Sequence, residues 1–388
     1  MTRFHRLTAA LLCAATLLCV SVAARAEPLE GEPPITLTAP SAILLEAENG
    51  AVIFEKNADE RRPVASVTKL MTLLLLFERL DAGEIGMEDK ITVSPNAAAQ
   101  PGSQALLDAH ATYPLRDLLK STVIASGNDS AVALAEYIAG TEEAFVALMN
   151  ERAAEMGLDN THYVNCTGLP VQGQYTSARD VARISCEMAR HPDYFSLSSV
   201  WLDTLTHPSG RTTDLTNTNR LVRFYRDCDG FKTGSTNEAK YCLSATAERG
   251  GLRLIAVVLG VPKSQTRFDE ARAMMDYGFA NYARVQVAQA GDLLGRRVKV
   301  SMGARDEVDA ALGKGLSMLL KNGQQSRLSF EAALPEALNA PVRAGQEIGE
   351  VRLLLDGRTI ATLPAVAAQD VRLPGILEGF VRLMENWR

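Results

Sequence analysis

Three short polar motifs hold the side chains of this chain that could do chemistry. Ser66 and Lys69 stand three residues apart in "ASVTKLMT", at the mouth of the oily run "LLLLF". On a helix, positions i and i+3 share a face, so the serine hydroxyl and the lysine amine can meet. A serine hydroxyl becomes a competent nucleophile only when a base removes its proton, and a neutral lysine can do that. Lysine is neutral near pH 7 only if burial or a second cation lowers its pKa. The apolar helix supplies burial; the cation must come from elsewhere. Two further motifs come next in order, Ser126-Gly127-Asn128 within "IASGNDSA" and Lys232-Thr233-Gly234 within "CDGFKTGST". Any one of them is weak, since a chain of this composition shows about one S-x-x-K by chance. Their joint occurrence needs a fold that gathers them.

The elements around them are readable. "SAILLEAENGAVIFEK" is two apolar runs around Asn49-Gly50, a hairpin signal. Pro63 precedes the helix that starts at the first motif. Segments such as "LRDLLKSTVIASGNDSAVALAEYIAG" and "SARDVARISCEMARHP" have helical periodicity. Between them "LDNTHYVNCTGLPVQGQYT" is rich in turn formers. Strand-like "CDGFKTG", "YCLSATAE" and "LRLIAVVLGV" come after, then a helix, "RFDEARAMMDYGFANYA". Strands at both ends with helices between predict an α/β domain with one antiparallel sheet. From about Val285 the texture becomes short alternating strands with Asp-Gly turns, a small all-β domain.

The two ends read differently. Basic "MTRFHR", an apolar stretch and Ala24-Arg25-Ala26 make residues 1–26 a signal peptide, with an uncleaved membrane anchor as the alternative. The predicted units are then 27–284, 285–372 and a terminal helix over 373–388. In that helix Ile376, Leu377, Phe380 and Trp387 share one side and Glu378, Arg382 and Glu385 the other. It suits a membrane interface, or else docks on the β domain.

Composition narrows the partners. The formal charge is −6, and loss of Arg3, Arg6 and Arg25 with the leader would leave −9. An acidic chain without a basic stripe argues against nucleic acid. Export leaves Cys166, Cys186, Cys228 and Cys242. Three pairings are open to them; Cys228 and Cys242 flank a hairpin and could face each other, or all could stay free thiols. His110, His162, His191 and His207 show no H-E-x-x-H, and no G-x-S-x-G elbow is present.

S-x-x-K, S-x-N and K-T-G in this order resemble the penicillin-binding proteins and serine β-lactamases. "PVASVTKLMT", "SGNDSAVALAEYIAG", "DGFKTGSTNEAKYCL" and "ATAERGGLRLIAVVLG" narrow the likeness to the serine-type D-alanyl-D-alanine carboxypeptidases. "APVRAGQEIGEV" is similar to that family's β-rich C-terminal domain, and the tail to its membrane anchor. The resemblance implies removal of the terminal D-alanine from peptidoglycan stem pentapeptides through a Ser66 acyl-enzyme. It implies trapping by β-lactams, no metal or organic cofactor, and a place on the outer face of the bacterial cytoplasmic membrane. Ser66 would attack the penultimate D-alanine carbonyl, Lys69 act as base, and Ser126 relay a proton to the departing amine. Asn128 would hold the peptide backbone, and Lys232 and Thr233 the substrate carboxylate. Lys232 would also be the second cation that depresses Lys69. Gly234 would let substrate approach the strand, and the N–H groups of Ser66 and Ser235 would form the oxyanion hole. Arg267 matches an arginine used near the carboxylate.

Two alternatives stand beside this reading, a β-lactamase of the same fold and a catalytically idle wall-binding or sensor module. "EMGLDN" nearly matches the E-x-x-L-N of class A β-lactamases, but is one residue too long. Glu155 therefore reads as part of a solvated helix face. S-G-N in place of S-D-N points the same way.

Overall fold

The computed structural model describes residues 35–378 and 380. The proposed leader lies outside them, as does most of the proposed terminal helix.

The chain opens with β1 (Ser41–Glu46) and β2 (Val52–Lys56). Gly50, at φ +72°, turns the hairpin between them, and the Glu46 carboxylate accepts the N–H groups of Glu48 and Asn49. A 3-10 turn, Ala65–Thr68, runs straight into α1 (Lys69–Asp81). Residues 69–77 of α1 are all buried, which fits a helix hydrophobic on every side. Two short strands, β3 (Lys90–Thr92) and β4 (Thr112–Pro114), pair across a span that holds the one-turn α2 (Pro95–Ala98). A helical layer comes next: α3 (Leu115–Ile124), α4 (Asn128–Ala139), α5 (Glu142–Glu155), α6 (Ala178–Met188) and α7 (Pro192–Ser198). Thr141 and Ser177 cap α5 and α6 by accepting the N–H groups of Ala144 and Asp180.

A hairpin of β5 (Leu202–Thr206) and β6 (Thr212–Thr216) and the short α8 (Leu221–Phe224) lead into β7 (Cys228–Thr236). Then come β8 (Lys240–Arg249), β9 (Leu252–Val261) and α9 (Ser264–Asn281). The sheet runs β2-β1-β9-β8-β7, antiparallel throughout, as the sequence predicts. Its central strands are buried on both faces, so each face has its own core. One face packs Leu44, Ala245 and Leu254 against Phe268 and Met274 of α9. The other packs Ile43, Ile255 and Val257 against the layer around α1 and α6.

Beyond α9 the chain is strand after strand. β10 (Tyr282–Ala288) pairs with β13 (Leu316–Lys321). A six-stranded sheet combines β11 (Leu293–Ser301), β12 (Glu307–Leu312), β14 (Leu328–Ala333), β15 (Ala337–Asn339), β16 (Glu347–Leu355) and β17 (Arg358–Ala367). Asp356 and Gly357, at φ 51° and 80°, form the expected turn between β16 and β17. Arg284 of β10 ties the two regions by binding Glu46, 2.9 Å away, and Glu48.

The four cysteines are free thiols. Cys228 lies opposite Ala247 and Cys242 opposite Gly234, six residues apart along β7. Their thiols donate to the carbonyls of Gly230 and Ala239 instead. Of the tail, Leu373, Ile376, Leu377 and Phe380 are exposed. No helix among the described residues is long and apolar enough to cross a membrane.

Candidate active site

The fold gathers all three motifs in one cleft. Ser66 sits in the 3-10 turn and Lys69 is the first residue of α1, so the i, i+3 geometry holds although the serine precedes the α-helix proper. Lys69 Nζ lies 3.0 Å from Ser66 Oγ, 2.6 Å from Asn128 Oδ1 and 2.7 Å from the Thr167 carbonyl. The amine is fully buried, and burial pulls its pKa down to about 7, with Cys166 and Asp129 opposing the shift.

Ser126 falls between α3 and α4 with φ 64°, a left-handed conformation that a serine adopts only when its surroundings require it. Asn128 opens α4; its Nδ2 donates to the Pro101 carbonyl, and its backbone N–H to the Ser103 carbonyl. Beside it the buried Asp129 carboxylate accepts from the N–H groups of Ala105, Leu107 and Ser130. These bonds fix both the helix start and the 101–107 segment that flanks it. The hydroxyl of Ser126 and the Nζ of Lys232 are buried without any hydrogen bond inside the protein. Orphaned polar groups of this kind are costly unless a ligand supplies their partners.

Lys232, Thr233, Gly234 and Ser235 lie on β7, the edge strand of the sheet. Lys232 is held well below the usual lysine range, first by burial and then by the charges of Lys69 and Arg267. Burial and a second cation were the two causes expected for a low pKa at Lys69. Burial is the leading cause for both amines, and the Lys69 charge adds to the lowering at Lys232. Their surroundings differ: Lys69 has two carbonyl oxygens to accept from its amine, and Lys232 has none.

Gly234 also has a packing role. A Cβ there would lie 2.2 Å from the Val64 carbonyl and 3.0 Å from Ser66 N. The close neighbour is the nucleophile's own turn, which packs onto β7. Gly168, at φ +84°, presses on that turn too: a Cβ would fall 1.9 Å from the Ala65 carbonyl. Two glycines thus clamp the turn that presents Ser66.

Arg267, near the start of α9, is mostly buried, and burial lowers its pKa to about 10. Its guanidinium donates to the carbonyls of Gly234 (3.0 Å) and Cys242 (3.2 Å). It therefore braces the strand that bears Lys232 and adds positive charge behind it. Glu155 ends α5 and pairs with Arg152 at 3.2 Å, more than half exposed, as its solvated-face reading requires.

Sequence reading missed the 165–168 turn. The Thr167 carbonyl contacts the base and Gly168 the nucleophile turn. The local signal was "NCTG", an Asx-type turn, in a segment read as a loop rich in turn formers with no site residue assigned to it.

Known proteins share this organisation along the chain. A family model described as D-alanyl-D-alanine carboxypeptidase matches residues 27–263. Another, described as penicillin-binding protein 5, C-terminal domain, matches residues 282–372. The chain is 38% identical over 350 residues to D-alanyl-D-alanine carboxypeptidase DacF of Bacillus subtilis, covering 90% of each. It is 33% identical to D-alanyl-D-alanine carboxypeptidase DacC of Escherichia coli, covering 88% of this chain and 87% of that protein. Penicillin binding protein 5 from Haemophilus influenzae superposes with a TM-score of 0.76 at 32% identity, covering 88% of this chain and all of that one.

Proposed function

The chain belongs to the serine-type D-alanyl-D-alanine carboxypeptidase family of penicillin-binding proteins, and from that premise we propose a division of labour among the residues of its cleft. The family acts on the D-alanyl-D-alanine termini of peptidoglycan and binds β-lactams. Ser66 Oγ attacks the carbonyl of the penultimate D-alanine as its proton passes to the Lys69 amine. The tetrahedral oxyanion is held by the N–H groups of Ser66 and Ser235. The intermediate collapses, the C–N bond breaks, and the departing D-alanine amine takes its proton through Ser126. Water then hydrolyses the Ser66 ester and restores the hydroxyl.

The observation that carries this reading is the pair of orphaned groups, Lys232 Nζ and Ser126 Oγ, buried in a cleft with a paired nucleophile and base. A substrate carboxylate at Lys232 and Thr233 would supply the missing partner and favour the charged form of the amine. That charge would in turn disfavour the ammonium form of Lys69. Substrate binding would then prime the base.

Mass spectrometry after penicillin treatment should find an adduct on Ser66, absent in Ser66→Ala. A label on another residue would sink the assignment. Release of D-alanine from a pentapeptide, with only slow release of bound penicillin, separates this reading from a β-lactamase. Binding without either reaction would favour an idle wall module.

Members of this family work in the periplasm or cell-wall space. For this chain we place residues 1–26 as an export leader, 27–284 as the catalytic unit and 285–372 as a β-rich unit. Residues 373–388 would be a helix resting on the membrane surface. The sequence amphipathicity and the exposed Ile376, Leu377 and Phe380 support the last assignment. Deleting 373–388 should move the protein to the soluble fraction with activity intact; retention on membranes would refute it.

A further inference from the structure

We propose that Asn165 is a positioning residue for the base: its side-chain oxygen folds the 165–168 turn so that the Thr167 carbonyl is held against the Lys69 amine. The inference rests on Lys69 being the acylation base.

The geometry at Nζ explains why that carbonyl matters. A neutral amine has two hydrogens and one lone pair. Asn128 Oδ1 at 2.6 Å and the Thr167 carbonyl at 2.7 Å take the two hydrogens. The lone pair is then left facing the third neighbour, Ser66 Oγ at 3.0 Å, whose proton it must accept. Remove either acceptor and the amine can rotate its lone pair away from the serine.

The Asn128 acceptor is secured by the start of α4. The Thr167 carbonyl belongs to a turn and needs another device, and Asn165 supplies it. Its Oδ1 accepts the Gly168 N–H at 2.7 Å, and the Thr167 N–H and hydroxyl at 3.2 Å each. It also accepts from Gln174 Nε2 at 3.2 Å, while its own Nδ2 donates to the Leu169 carbonyl. Both N–H groups flanking the Thr167 carbonyl thus converge on one oxygen, which fixes the orientation of that peptide. Thr167 is almost wholly buried, so water offers little substitute. Cys166 is pinned separately, its carbonyl by Thr72 of α1 and its N–H by Glu142 of α5. Those bonds hold the turn in place without setting the direction of the next carbonyl.

The test is the pH profile of acylation, measured as single-turnover labelling by a fluorescent penicillin. The other titratable groups facing the amine are Asp129 from α4, the Cys166 thiol and Lys232 from β7, and the substitutions leave them in place. Asn165→Ala should slow acylation about 100-fold, the scale of a misaimed catalytic group. Its acidic limb should move to lower pH, because a carbonyl that favours the ammonium form has been released. Asn165→Asp keeps an acceptor oxygen and adds negative charge, so its loss should be smaller and its limb should move to higher pH. A folded Asn165→Ala that labels at the wild-type rate, or loses rate with the limb unmoved, overturns the proposal. If Asn165→Ala does not fold, an Asn165→Asp profile identical to wild type overturns it. Lys69→Gln, run in parallel, separates the two levels. Near-normal labelling by Lys69→Gln sinks the base assignment itself; an inert Lys69→Gln beside unaffected Asn165 variants sinks only the positioning role.

Discussion

The five-stranded sheet that ends in β7 and the six-stranded sheet built around β16 and β17 bury their interiors in different chemical terms. The core of the second is formed by Val298, Val308, Ala310, Val351, Leu363 and similar side chains. Among the described residues, every buried polar or charged side chain lies between Ser41 and Glu270, and none falls in 282–372. Buried Lys69, Asn128, Asp129 and Lys232 each carry a desolvation cost that an apolar side chain would avoid. One region of the chain tolerates that cost and the other does not incur it. The contrast places the buried polar groups of the candidate site in the first region and leaves the second with an apolar interior.

Four substitutions and one pH experiment would sharpen or break that contrast. Ser66→Ala should abolish penicillin labelling and lower D-alanine release by at least about 10⁴-fold, the scale seen when a nucleophile is removed. Lys69 should reveal itself in the pH profile. Its amine titrates near 7 and only the unprotonated form is a base, so acylation should fall about tenfold per pH unit below that point and level off above it. If substrate primes the base through Lys232, a substrate with an amidated C-terminus should show this limb at higher pH. An identical limb for both substrates would remove the priming step.

Gly168→Ala should cost about 2–4 kcal/mol in denaturant unfolding, since the added Cβ meets the Ala65 carbonyl at a left-handed φ. It should also slow labelling of whatever protein remains folded. In the other region, Leu363→Ala should cost a comparable 2–5 kcal/mol or so and leave labelling unchanged. Equal loss of activity there would mean the two regions are not separable in function. Arg297→Ala, which removes exposed pairs to Glu307 and Asp309, should leave both melting temperature and activity where they were.

Much of this was legible in the sequence because the relevant signals are local. Asn49-Gly50 marks a turn, the oily run at 73–77 marks a core helix, and three spaced motifs mark the candidate site. What was not legible depends on contacts between distant segments. That Gly234 also packs against the nucleophile turn shows only when β7 is seen against residues 64–67. That Arg267 also braces two strand carbonyls shows only in the fold. The acceptors around the Lys69 amine come from distant segments, and Thr167 lies 98 residues from Lys69. Sequence spacing gives no access to such a distance.

β7 completes the sheet on one side only, and an open strand edge is a template on which other chains can aggregate. Proteins commonly blunt such edges with a charge pointing inward. Lys232 is a basic side chain buried on this edge strand, and a foreign strand without an acid would leave it unpartnered. By that logic the residue proposed to take a substrate carboxylate would also help to keep this edge from self-association. Lys232→Met should be tested for solubility at high concentration as well as for activity.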